Sequence, residues 1–203
     1  PPSTFTTAPV VQALLEARKV GAQVSPGVLE RARRVLEEAR TAEGAFVYSG
    51  AAGGRGGQDV KAKVPGAIAR MPVCETTLRL LGGGSPAATR KSVEAFLEEW
   101  QALEDRRKKT GTHEGPYGIA PYYYFYGHYY AAQAIESLPA SERPPLRARL
   151  HEKIFKVREP DGSWNDRVFE RSKNFGTAMV VLALLAPRLP APAGLESAKP
   201  EGK

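Results

Sequence analysis

The sequence predicts an all-α protein made of repeated helical hairpins. First, the chain repeats itself, because segment 7–15 (TAPVVQALL) and segment 177–185 (TAMVVLALL) share seven of nine residues. Second, apolar helices of this kind alternate along the chain with helices that are charged on one side. Third, each charged helix is followed by a glycine, a variable residue and an aromatic residue. Only segment 45–48 reads as a strand, and it is too short to build a sheet.

The first predicted hairpin joins an apolar helix near 5–17 to a charged helix near 26–41. Ser25 fits the N-cap position of the charged helix, with Pro26 at its first helical position. Its apolar residues recur at helical spacing and are Val28, Leu29, Ala32, Val35, Leu36 and Ala39. The glycine-rich segment 49–66 follows, and we expect it to be a mobile loop.

The second hairpin pairs an apolar helix near 66–81 with a charged helix near 86–108. The charged helix opens with Ser85-Pro86, which repeats the start signal of the first one. Its apolar positions are Val93, Phe96, Leu97, Trp100 and Leu103. The pattern predicts one continuous helix in each range.

The third hairpin pairs a helix near 121–138 with a charged helix near 144–158, and a last apolar helix covers 175–186. Seven of the eight tyrosines lie between positions 116 and 138. Rings therefore occupy adjoining faces of the third apolar helix, which predicts a helix that is buried nearly all round.

Length and composition fit one soluble-type domain. The 203 residues, 42% hydrophobic and 25% charged, can bury a sizeable core. We assign 1–187 to the repeat domain and 188–203, rich in proline and polar residues, to a disordered tail. No apolar run reaches the roughly 18 residues that a membrane span needs. The chain does not begin with Met, which leaves open a removed signal peptide or a longer parent protein, and with them the compartment.

The net charge of +7 does not by itself predict a nucleic-acid partner. The basic residues are spread over segments 31–34, 104–109 and 147–153, where glutamates accompany them. This arrangement is typical of solvated helix surfaces. We therefore expect no nucleic-acid binding.

Three short motifs connect the repeat to a known family. The run Pro160-Asp161-Gly162-Ser163-Trp164 precedes Gly176-Thr177-Ala178, and Gly127 interrupts the tyrosine-rich helix. Over about residues 4–187 the chain resembles the α/α-toroid repeats of the prenyltransferase and squalene-cyclase superfamily, and bacterial proteins with a prenyltransferase or squalene-oxidase repeat in particular. The family's signature is Q-x-x-x-G-x-W, but Arg40, Gly111 and Arg158 stand at the glutamine position here.

The resemblance implies a ring of helical hairpins, with apolar helices inside and charged helices outside. Full toroids of this superfamily have more hairpins than the three and a half found here. We therefore expect an incomplete ring, a missing N-terminal part, or closure by a partner.

The catalytic motifs of the superfamily are absent from the sequence. The aspartates are Asp59, Asp105, Asp161 and Asp166, and no two lie within four residues, so the acidic DxDD-type cluster of the cyclases is missing. No acidic residue lies two positions from Cys74, as the zinc site of the protein prenyltransferases requires. The three histidines show no ligand spacing either. We predict no catalytic residue, no metal site and no cofactor.

A binding site is the remaining functional hypothesis. Charged residues on an apolar inner helix are costly unless they are paired or hydrated, which singles out Arg70 and Glu75. The predicted site consists of Arg70, Glu75, Tyr122, Tyr126, His128 and Tyr129, with loop 49–65 as its rim. Its ligand would be a protein, a peptide or a lipid-like chain. The alternative is that the tyrosines simply fill the core.

These observations predict a non-catalytic ligand- or protein-binding or scaffold domain. The alternative is an isoprenoid-processing enzyme, such as a terpene cyclase or a prenyltransferase-like protein, whose catalytic residues lie in a missing N-terminal part. The sequence does not define the oligomeric state.

Overall fold

The prediction of an all-α protein is confirmed. The structure, a computed structural model, describes residues 2–194. Within this range the extended pairings are limited to the isolated bridges Ser3–Ser49, Arg40–Phe46 and Glu114–Ile119. The helices are α1 Thr4–Lys19, α2 Pro26–Ala39, α3 Val64–Ala67, α4 Met71–Leu80, α5 Pro86–Glu98, α6 Gln101–Glu104, α7 Tyr123–Glu136, α8 Arg143–Lys156 and α9 Lys173–Leu185. Short 3₁₀ turns cover Arg55–Gln58, Val60–Ala62, Glu170–Ser172 and Ala186–Arg188.

Two predicted helices are wrong in extent, because each is broken. The range 66–81 is divided between α3 and α4, with Pro72 in the first turn of α4. Proline has no N–H and its ring collides with the carbonyl four residues earlier, here that of Ile68, so a helix running through this point is disfavoured. The range 86–108 is divided between α5 and α6, and the chain beyond α6 leaves the helical conformation at Lys108, whose φ is +57°.

The two predicted N-cap serines differ in their side-chain hydrogen bonds. The Ser85 side chain accepts a hydrogen bond from the Ala88 N–H at 3.1 Å. Ser25 has the extended backbone of a cap residue, but its side chain makes no capping hydrogen bond.

Helices α1, α4, α7 and α9 contact one another in that order, so α4 and α7 lie inside the series and α1 and α9 at its two ends. The charged helices lie along them: α2 contacts α1 and α4, α5 contacts α4 and α7, and α8 contacts α7 and α5. The main apolar core consequently surrounds α4 and α7. The tyrosine-rich helix α7 therefore lies at the centre of the core.

The glycine-aromatic turns have a common geometry. Gly44, Gly115 and Gly162 have φ values of +88°, +75° and +85°. A side chain is strained in this left-handed region, which explains glycine at all three positions.

The arginines at the signature's glutamine position have a shared role. The Arg40 guanidinium lies over the ring of Phe46, with 5.7 Å to the ring centroid, and that of Arg158 lies over the Trp164 ring at 5.5 Å. The Trp164 indole N–H donates to the Ile154 carbonyl at 2.8 Å and so ties this turn to α8. The internal repeat thus extends to the side-chain contacts of its first and last turns.

The segment after α9 returns to the other end of the helix series. Ala193 is buried beside Val11, Leu15 and Leu29, and its N–H donates to the Glu16 carboxylate at 2.6 Å. Within the predicted tail 188–203, Ala193 is therefore packed against the domain while 188–191 are exposed, and 195–203 lie outside the described residues. No helix within residues 2–194 is both long enough and apolar enough to cross a membrane.

Candidate functional site

The rings at the start of α7 belong mainly to the core. Tyr123, Tyr124 and Phe125 are almost completely buried. Gly127 follows them, and a Cβ there would lie 2.9 Å from the Phe96 ring and 3.0 Å from the Ala69 backbone. The glycine therefore allows α7 to approach its neighbours closely.

Arg70 is fully buried and holds backbone carbonyls rather than a ligand. Its Nε and Nη2 donate to the Phe46 carbonyl at 2.9 and 2.7 Å, and its Nη1 donates to the Gly66 carbonyl at 2.8 Å. Nη2 also donates to the Lys61 carbonyl. Burial lowers the pKa of the guanidinium. Arg70 fastens segment 46–66 to the core, so this segment is folded onto the domain.

Glu75 is buried too and is paired with Arg40, whose Nη2 donates to its carboxylate. Burial raises the pKa of Glu75, and the Arg40 guanidinium opposes that effect. The carboxylate joins the start of the first glycine-aromatic turn to α4.

His128 is held as a neutral ring in the core. The Trp100 indole N–H donates to Nε2 of His128 at 2.9 Å, and an indole nitrogen can only donate. Nε2 is therefore the acceptor, and the proton resides on Nδ1, which donates to the Tyr124 carbonyl at 2.7 Å. Burial lowers the pKa of His128 to about 4.

Tyr126 is nearly buried against α1. Its ring stacks on Phe5 with 4.0 Å between centroids, and its hydroxyl donates to the Phe5 carbonyl at 2.7 Å. The structure does not gather the six predicted site residues into one pocket. Four lie in the core, while Tyr122 immediately precedes α7, Tyr129 lies in its middle, and the two border different cavities.

The cavity at the C-terminal end of α7, which we call the C-terminal cavity, has a volume of about 570 Å³. Ligand pockets commonly have volumes of about 300–1,000 Å³. Tyr129 and Gln133 line it from α7, Arg79 from α4, and the proline-rich segment 187–192 from beyond α9. Pro86, Glu136, Ser137, Leu138, Pro139, Arg143 and Ala186 complete its walls.

Two polar side chains of the C-terminal cavity are incompletely paired. The Oε1 atom of Gln133 is buried and has no hydrogen-bond partner within residues 2–194. Arg79 donates through Nη1 to the carbonyl and hydroxyl oxygens of Ser137, both at 3.0 Å, and burial lowers its pKa. The burial of Tyr129 raises the pKa of its phenol.

The cavity at the other end of α7, the N-terminal cavity, has a volume of about 360 Å³ and includes Tyr122. His113 lies beside it, with its ring nitrogens 3.4 Å from the hydroxyls of Tyr122 and Tyr123. A third cavity, of about 570 Å³, borders the glycine-rich loop and extends from Arg40 to Val64. None of the six predicted residues lines this third cavity.

Sequence reasoning missed Asp166, the most unusual acidic group of the described residues. Its side chain is fully buried, and neither carboxylate oxygen has a hydrogen-bond partner there. Arg167 Nε lies 3.7 Å from Oδ1, and burial raises the pKa of Asp166 to about 6. No spacing pattern marks this residue, because its burial depends on how the loop before α9 packs.

Within residues 2–194, no group of three or more His, Cys, Asp or Glu side chains is placed to hold a metal ion. Cys74 is a free, buried thiol whose pKa is raised by burial. Comparison with protein-family models, curated protein sequences and solved structures finds no match for this chain. Function must therefore be argued from the cavities.

Proposed function

We propose that the chain is a non-catalytic binding domain of toroid-like architecture, with a peptide-like ligand in the C-terminal cavity. The observation that carries this proposal is the buried, unpartnered Oε1 of Gln133 beside a cavity of about 570 Å³. A buried carbonyl oxygen without a donor typically costs about 1–3 kcal/mol. A ligand that supplies the donor recovers this free energy.

The cavity walls favour a peptide group over a purely apolar molecule. The ligand must donate to Gln133 and can accept from the guanidinium of Arg79, whose described hydrogen bonds all use Nη1. A backbone amide carries one donor and one acceptor and so meets both requirements. Tyr129, Leu189 and the prolines provide apolar surface for its side chains.

The proposal is tested by titrating the protein with the capped peptide acetyl-Leu-Pro-Leu-amide and following ¹H–¹⁵N spectra. We expect saturable shifts at Arg79, Tyr129 and Gln133, with a dissociation constant of about 0.1–1 mM, as for a fragment-sized ligand. Shifts that are linear in peptide concentration or spread over the surface would contradict the proposal.

The variant Gln133→Met separates binding from packing. It removes the unpartnered oxygen, so we expect the free energy of unfolding to rise by about 1 kcal/mol while peptide affinity falls about tenfold. Gln101→Met is the control, because the Gln101 side chain is exposed and donates to the nearby Asp105 carboxylate at 2.7 Å. A Gln133→Met protein that is destabilised and binds the peptide normally would show that Gln133 has only a packing role.

A further inference from the structure

The N-terminal cavity has a different chemistry from the C-terminal one. Lys109, Thr110, Gly111 and Thr112 form one wall, Pro121 and Tyr122 the second, and Arg167, Val168 and Phe169 the third. Val168 is 46% exposed and Phe169 is 53% exposed. One side of the cavity is therefore basic and hydroxylated, and another is an open apolar shelf.

The Arg167 side chain contacts two aromatic rings at this cavity, while its backbone N–H donates to the Asn165 Oδ1 at 3.1 Å. Its guanidinium lies 5.6 Å from the Tyr122 ring centroid and 5.5 Å from that of Phe175. Its Nε is buried without a hydrogen-bond partner in the described part of the chain. Arg167 also forms an ion pair with the buried Asp166 carboxylate, with 3.7 Å between Nε and Oδ1, a separation longer than a hydrogen bond. Cation–π contacts fix the guanidinium while leaving its N–H groups available to an anion.

The neighbouring cations are already paired. Arg107 donates to the Glu104 carboxylate at 2.7 Å, and Lys108 Nζ lies 2.5 Å from the Glu159 carboxylate. The positive charge that lines the cavity therefore comes from Arg167, which is only loosely paired with Asp166, and from the exposed Lys109.

The wall 109–112 is held in position by an unusual backbone. Lys108 precedes it and His113 follows it, and both have a φ of +57° without being glycine. Non-glycine residues are disfavoured in this left-handed region. The two residues turn segment 109–112 towards the loop that carries Arg167.

We propose that the N-terminal cavity binds an anionic amphiphile, a molecule with a carboxylate or phosphate group on a short apolar chain. The anionic group lies between Arg167 and Lys109, where a guanidinium can form charge-assisted hydrogen bonds. The chain lies on Val168 and Phe169 and covers their exposed surface. This site is separate from the C-terminal cavity and does not depend on the peptide proposal.

The test is a calorimetric and ¹H–¹⁵N titration of the full chain with four probes: octanoate, octyl phosphate, octanol and inorganic phosphate. We expect at least one of the two amphiphiles to bind with a dissociation constant of about 0.1–1 mM and to shift residues 110–112 and 168–169. The stronger of the two identifies the anionic group. Octanol and inorganic phosphate should each bind at least about tenfold more weakly. Binding of octanol as tight as that of octanoate, or no binding of either amphiphile, overturns the proposal.

Substitutions at the N-terminal cavity test whether the amphiphile binds there. Arg167→Gln should weaken amphiphile binding at least about tenfold. Arg171→Gln is the matched control, since the Arg171 guanidinium lies 5.0 Å from the Phe169 ring centroid but does not line the cavity. The affinity of this variant for the amphiphile should be unchanged. If Arg167→Gln does not fold, Phe169→Ala replaces it and should weaken octanoate about threefold or more. Equal losses of amphiphile affinity in Arg167→Gln and Arg171→Gln would show that only the overall positive charge matters, and would refute the site.

Discussion

Segment 7–15 of α1 and segment 177–185 of α9 share seven of nine residues but bury opposite faces. In α1 the buried positions include Ala8, Val11, Gln12 and Leu15, whereas their repeat partners Ala178, Val181, Leu182 and Leu185 in α9 are all exposed. Conversely, α9 buries Val180 and Ala183, whose partners Val10 and Ala13 in α1 are exposed. When apolar residues occur on every side of a segment, its sequence does not determine which side is buried. The neighbouring helices determine the buried side, since α1 contacts α2 and α4 while α9 contacts α7.

The two ends of the series also treat buried charge differently. Near α1, the Arg70 guanidinium is surrounded by carbonyl oxygens and Glu75 has Arg40 as its partner. Before α9, Asp166 is buried, and within residues 2–194 neither carboxylate oxygen has a hydrogen-bond partner, although the Arg167 Nε lies 3.7 Å from Oδ1. Charge burial is therefore compensated at the α1 end and left partly uncompensated at the α9 end.

The sharpest test of the face reversal introduces the same aspartate at matched valines. Val11→Asp in α1 and Val180→Asp in α9 place a carboxylate in the core and should each lower the free energy of unfolding by about 3–5 kcal/mol. Their exposed neighbours, Val10→Asp and Val181→Asp, should each change it by less than about 1 kcal/mol. Urea denaturation measures all four. Similar losses for Val11 and Val181 would mean that the two helices bury the same face.

The α1 end should depend on Arg70. Arg70→Met keeps most of the side-chain volume but leaves the carbonyls of Phe46 and Gly66 without these donors, which should cost about 2–4 kcal/mol of unfolding free energy. Hydrogen exchange should show segment 46–66 becoming less protected, because its attachment to α4 is lost. Unchanged stability would rule out the fastening role.

At the α9 end, replacing the buried charge of Asp166 should raise the free energy of unfolding, whereas replacing Arg70 lowers it. Its pKa of about 6 in the folded protein is above the ordinary 3.8, so folding favours the protonated form. Its contribution to stability is therefore full below about pH 4, falls as the pH rises to about 6 and then stays constant. Asp166→Asn should stabilise the protein by about 1–3 kcal/mol at pH 7 and by little at pH 4. Denaturation at both pH values measures the difference, and a loss of stability at pH 7 would contradict it.

The smallest expected effect comes from exchanging one repeat position. Gln12 donates to the Thr77 hydroxyl at 3.0 Å, and α9 has Leu182 at the equivalent place, exposed. Gln12→Leu should cost about 1 kcal/mol, because that hydrogen bond is lost, whereas Leu182→Gln should change stability by less than about 0.5 kcal/mol. Thermal unfolding of the two variants should therefore differ by a few degrees. Equal shifts would indicate that position 12 has no specific partner.

Local sequence patterns predicted much of the fold. Helical spacing located α2, α5, α7 and α8, and the glycine before each aromatic turn agrees with its positive φ. The break between α3 and α4 coincides with Pro72, but Pro9 lies inside the continuous helix α1, so an internal proline alone does not predict a break. Lys108 gave no comparable signal, because its left-handed backbone is not a property of lysine.

The candidate sites were less predictable, because their residues come together from distant parts of the chain. Arg70 and Glu75 were singled out as charges on an apolar helix, but their partners lie at Phe46, Gly66 and Arg40. The cavity beside Tyr129 also needs segment 187–192, and local composition assigned the residues from 188 onward to a tail.

The sequence alone determined the helical class, the repeat and the positions of its turns, since periodicity, proline and glycine act within a few residues. Tertiary structure decided which face each apolar helix buries, which charges are paired and where cavities remain. These outcomes depend on contacts such as Gln12 with Thr77 or Arg40 with Glu75, between side chains that no local pattern connects. The same apolar letters in α1 and α9 are compatible with either face, and only the neighbouring helices distinguish them.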